Sequence, residues 1–128
     1  MGSVKRDLHE GERRLEAQYI ALDNPLGISL LLADYHAIES RKYAGDYDAV
    51  IIMTDLETAI ERAGLSDMER AALRLVYIED MTQVDAGASM GVAQYRVSRL
   101  LGAVHTKVAR IYEAWARRGE GYTVTIGE

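Results

Sequence analysis

The chain has 128 residues, a net charge of −5 and no cysteine. That is the usual size of one domain, with no disulfides and no thiolate metal ligands. One proline, no phenylalanine, 48% hydrophobic and 27% charged residues favour packed helices over a sandwich or barrel, and no run of eighteen apolar residues offers a membrane span.

Val4, Leu8, Leu15, Tyr19 and Leu22 recur at helical steps and predict an amphipathic helix over 3–22, with Gly11 as its weak point. The start, "MGSVKRDLHEGE", has no apolar stretch behind its basic residues and does not read as a signal peptide, so a cytoplasmic protein is expected. In "DNPLG", Asn24 can cap the next helix and Pro25 suits its first turn. That helix is expected to run to about Tyr43 with Leu26, Leu30, Ala33, Ala37 and Ile38 on its packing face. Asp46 or Asp48 opens a third helix, in which Val50, Met53, Leu56, Ala59, Ile60 and Ala63 form a broad apolar face and Gly64 is the stop.

"SDME" is a capping box, Ser66 with Glu69, and Ala72, Leu73, Leu75, Val76 and Ile78 are the packing residues of the helix behind it. Thr82 with Asp85 repeats the capping pattern and starts a short helix that ends at Met90. Gly91 can adopt a left-handed turn, and a long helix follows from about Gln94 to Arg117. Val97, Leu100, Leu101, Val104, Val108, Ile111 and Trp115 line its buried side. In the tail, Tyr122, Val124 and Ile126 alternate with Thr123 and Thr125, as strands do. The fold class expected is all-α, with a helical N-terminal half over 1–64, a helix-turn-helix domain over 65–118 and a strand-like or disordered tail over 119–128.

Charge is unevenly placed. Residues 1–64 hold seven basic against twelve acidic residues, whereas residues 91–118 hold six basic residues and a single acid, Glu113. Ala86, Gly87 and Ala88 give a small contact surface, Gly91 a turn, and Val97, Leu100 and Leu101 an inward anchor. Gln94, Tyr95, Arg96, Ser98 and Arg99 then point outward from the opening turns of the long helix, where a helix can enter the major groove of DNA. Arg can fork onto guanine and Gln onto adenine, while Tyr95 and Ser98 suit a phosphate or a thymine methyl. Thr82, Gln83 and Lys107 complete the expected DNA-binding set, with Lys107 and Arg110 as phosphate or solvent contacts and Arg74 either near the backbone or a surface residue paired with the acidic neighbours of Arg70. A protein-binding helical bundle is the plainer alternative for the same residues.

The stretch from Leu65 to Trp115, with "LRLVY", "TQ", "GVAQYRVSRLL" and "KVARIYE", resembles region four of bacterial sigma factors. It is similar in particular to the small sigma-like regulators of phages and prophages. The resemblance implies a DNA-binding transcriptional regulator with double-stranded DNA as partner. The acidic N-terminal half reads as a region that pairs two reading heads in a homodimer, as a surface that docks on RNA polymerase or another protein, or as a buttress of the C-terminal bundle. It also marks two departures. Ala93 stands where a capping Ser or Thr is usual, at about 1 kcal/mol. Gly87 stands for the usual Ala, at roughly 0.5–1 kcal/mol of helix propensity. Two other function classes remain open: an adaptor or anti-activator acting on polymerase or another regulator, and the small subunit of a phage DNA-packaging (terminase) motor. His9, His36 and His105 are scattered, Ser66 is a cap without a His/acid pair, and no phosphate loop is present, so no metal, no cofactor and no enzymatic activity are expected.

Overall fold

The computed structural model describes residues 22–118. The expected helix over 3–22 lies outside these residues except for its last, Leu22, which stands buried in a turn, and the strand-like tail lies outside them. Among the described residues the regular structure is entirely helical. The helices are α1 (Pro25–Ala33), α2 (Tyr35–Tyr43), α3 (Tyr47–Arg62), α4 (Asp67–Leu73), α5 (Gln83–Met90) and α6 (Gln94–Arg117), and a π-helical turn over Arg74–Ile78 continues α4. None of them is long and apolar enough to cross a membrane.

Capping residues set most of the starts. Asn24 Oδ1 accepts from the Leu26 amide at 2.8 Å, with Pro25 in the first turn. Asp46, rather than Asp48, caps α3: its Oδ1 accepts from the amides of Asp48 and Ala49, and its Oδ2 pairs with Arg41 at 2.7 Å. The Ser66–Glu69 box is complete in both directions, at 3.2 and 2.9 Å. Gly64 closes α3 in the left-handed region at φ 69°.

The helix expected from Asn24 to Tyr43 is two helices, broken at Asp34. Its packing face also differs. Gly27, Ile28, Leu31 and Leu32 are buried, while Leu26 and Leu30 are 66% and 49% exposed. "ISLLL" is apolar on every side, so periodicity assigns it no face. In α3 the buried residues are Ala49, Ile52, Met53, Leu56 and Ala59, and Val50 faces outward. Ile78, expected to pack, is also exposed. It ends the π-turn, where bonds run from residue i to i+5, such as the Glu79 amide to Arg74 O at 2.8 Å, and a 3.6-residue template loses phase.

Two apolar clusters form the interior. The larger joins Ile28, Leu31 and Leu32 of α1, Ile38 of α2 and Met53 and Leu56 of α3 to Val104, Val108, Tyr112 and Trp115 of α6. The smaller joins Ala72, Leu75 and Ala86 to Val97, Leu100 and Leu101. One helix of 24 residues therefore seats its first half in one cluster and its second half in the other. The larger cluster draws on residues from both sides of position 64. Two polar links tie α6 to the preceding segment. Lys107 Nζ meets both carboxylate oxygens of Glu69 at 2.9 and 3.1 Å, and the Tyr77 hydroxyl meets His105 Nε2 at 2.7 Å. The Lys107 hydrogen bond and the Ser66 backbone amide hold the Glu69 carboxyl below its usual range. Burial pushes the Tyr77 phenol up and the His105 imidazole down, so both favour their neutral forms.

Asp55 on α3 is an imbalance in this interior. Its Oδ2 is buried without a hydrogen-bond partner, and burial raises its carboxyl to about 6. A folded-state value above the ordinary 3.8 means that folding disfavours the charged form. The penalty is complete above about pH 6 and fades as pH falls toward the unfolded value. Stability contributed through Asp55 should thus rise on acidification across that window. Asp55→Asn should raise stability near neutral pH by about 1 kcal/mol and flatten this part of the profile. Melting temperature measured from pH 4 to 8 checks both, and a variant with an unchanged profile contradicts the assignment.

Candidate nucleic-acid interface

Thr82 caps α5, its Oγ1 accepting from the Asp85 amide at 3.0 Å. The helix ends at Gly91 in the left-handed conformation, φ 75° and ψ 28°. The Val92 amide then donates to Gly87 O at 2.8 Å and the Gly91 amide to Ala88 O at 3.3 Å, the paired bonds of a Schellman ending. The turn folds back so tightly that a Cβ on Gly87 would lie 2.6 Å from the Val92 carbonyl oxygen. Here the structure corrects the sequence reading: Gly87 is not a weakened alanine but the residue the close approach requires.

Ala93 has extended backbone at the start of α6 and no side-chain hydrogen bond to cap it, as its side chain dictates. Val97, Leu100 and Leu101 are buried. Gln94, Tyr95, Arg96, Ser98 and Arg99 are all exposed on the first two turns, Tyr95 by 66%. Two side-chain links order this surface. Gln94 Nε2 donates to Gln83 Oε1 at 2.7 Å across the two helices. Arg99 Nη1 donates to the Tyr95 hydroxyl at 2.8 Å, with its guanidinium carbon 5.7 Å from the ring centroid. Tyr95, Arg96, Arg99, Leu100 and Ala103 together line a concavity on the outer side of α6.

Residues 63–108 match the family model described as sigma-70, region 4. They form a sigma region 4-like helix-turn-helix. No curated protein and no solved structure gives a match to the chain.

Within this region 4-like unit the structure brings together Gln83, Gln94, Tyr95, Arg96, Ser98 and Arg99, with Thr82 at the start of α5. Lys107 does not join them. It lies near the middle of α6, where its Nζ pairs with Glu69 and joins α4 to α6. Glu69 is 38 residues earlier, and its visible sequence role was already taken by the capping box. Arg74, read from the sequence as either near the backbone or in a surface ion pair, pairs with Glu79 at the surface. Sequence reasoning also passed over Val84, which is 65% exposed beside Gln83, and gave no sign that Gln83 and Gln94 touch. The Tyr95–Arg99 link was the more findable of the two, because four-residue spacing puts both on one helix face.

Opposite effects are expected from two small substitutions flanking the turn. Gly87→Ala forces the turn apart and should destabilise by roughly 1–3 kcal/mol. Ala93→Ser supplies the missing cap to an already compatible backbone and should stabilise by about 1 kcal/mol. Urea unfolding of both variants reads the difference; a stabilising Gly87→Ala would contradict the tight approach.

Proposed function

We propose that this protein is a sequence-specific DNA-binding regulator of transcription, of the sigma-like type found in phages and prophages, that inserts the start of α6 into the major groove. The carrying observation is the division of that helix start. Gln94, Tyr95, Arg96, Ser98 and Arg99 are exposed together while Val97, Leu100 and Leu101 hold the same turns on the body of the protein. A helix with its side chains is about 10–12 Å across, which suits a groove of about 12 Å.

The chemistry fits the reading. Arg99 uses Nη1 on Tyr95, which orients its guanidinium and leaves other N–H groups for a guanine edge. Arg96 adds a second cation to the same exposed turns. The whole chain is acidic, but the segment that carries the reading helix has an excess of basic residues. On this reading double-stranded DNA is the partner, RNA polymerase is a second one, and a homodimer would present two heads to half-sites about one helical turn apart. It assigns the protein no catalytic step.

Selection of bound duplexes from a random pool should enrich one sequence, and affinity should fall steeply with salt. Arg99→Ala should reduce discrimination at one guanine by roughly 1–3 kcal/mol. Arg96→Ala should either do the same at another position or weaken all sequences alike. Absence of any enriched sequence, with binding unchanged in both variants, would overturn the proposal.

A further inference from the structure

The contact between Gln94 and Gln83 restricts what the interface can recognise. Gln83 is the first residue of α5 and Gln94 the first of α6, and Gln94 Nε2 donates to Gln83 Oε1 at 2.7 Å. A glutamine amide carries two N–H donors and one acceptor oxygen. With one donor engaged by Gln83, Gln94 retains one N–H and its Oε1. In the major groove adenine presents an acceptor, N7, beside a donor, the N6 amino group; guanine presents two acceptors, N7 and O6. An untethered glutamine can offer both N–H groups to guanine. A tethered one offers a donor and an acceptor, and that pair matches adenine.

We propose that Gln83 and Gln94 act as one reader of adenine, with Gln94 touching the base and Gln83 as the positioning residue that fixes which way the Gln94 amide faces. The inference rests on the DNA-binding reading above. Gln83 is half-buried, and its acceptor already meets Gln94 in the structure. Its own Nε2 keeps donors that suit a phosphate oxygen and would anchor the start of α5 on the DNA backbone.

The test is duplex selection with the wild type and with Gln94→Ala, Gln83→Ala and Gln83→Glu, each first checked for an unaltered melting transition. The wild-type motif should contain an adenine favoured over guanine by roughly 5- to 100-fold. Both alanine variants should lose that preference and keep the rest of the motif. Gln83→Glu keeps the acceptor and should retain the preference while binding all sequences more weakly, because its charge faces phosphates. Replacing the adenine with 7-deazaadenine, which lacks the N7 acceptor, should weaken the wild type and leave Gln94→Ala unaffected. An enriched motif unchanged in Gln94→Ala removes Gln94 as the reader. An adenine preference kept in Gln83→Ala, even with all sequences bound more weakly, or loss of that preference in Gln83→Glu, removes Gln83 as its positioner. Either result leaves DNA binding intact, whereas no enriched motif with any of the proteins overturns both readings.

Discussion

Everything at the interface depends on how α6 is seated. Val104, Val108, Tyr112 and Trp115 fix its second half among α1, α2 and α3, and Val97, Leu100 and Leu101 fix its first half against α4 and α5. A continuous helix cannot turn one end without turning the other. The direction in which Gln94, Arg96 and Arg99 point is therefore set by aliphatic packing well away from them. Glu69 and Lys107 add a polar fix between α4 and α6, in which the carboxylate is largely shielded from water. Such a pair specifies register more than it adds net stability, since desolvation offsets much of the attraction.

The turn before α6 is set by backbone alone. Gly91 takes a conformation that side chains disfavour, and Gly87 admits a carbonyl where a methyl would collide. The two glycines have different reasons for their identity, one torsional and one steric. The second is visible only when the chain five residues on from Gly87 has been folded back. Asp80 shows the torsional reason without glycine, standing at φ 63° just ahead of α5.

Local chemistry was legible in the sequence because it acts within a few residues. Asn24, Ser66 and Thr82 each cap the helix that follows them, Glu69 completes the Ser66 box from inside α4, and Gln94 and Arg117 bound α6. The outward set on α6 was also legible, because an amphipathic helix of that length has an unambiguous face. The face of α1 was not, since its sequence is apolar all round. The partner of Lys107 was not legible because it lies on another helix, and charge alone does not say whether a lysine faces water or a carboxylate. The link between Gln83 and Gln94 was hidden for the same reason: the turn brings them together, and its geometry is not written in either residue.

The region 4-like match stops at residue 108, part-way along α6 and short of Tyr112 and Trp115. Inside the matched stretch, Leu65, Leu73, Val104 and Val108 belong to the cluster completed by Ile28, Leu31, Met53 and Leu56 from outside it. Excised at the family boundaries, the piece would carry a bare greasy flank and a helix sawn through its anchor. The stretch that carries the recognisable signature thus lacks side chains that its own core packs against, and α1 and α3 are as much the foundation of the helix-turn-helix as its nearer neighbours are.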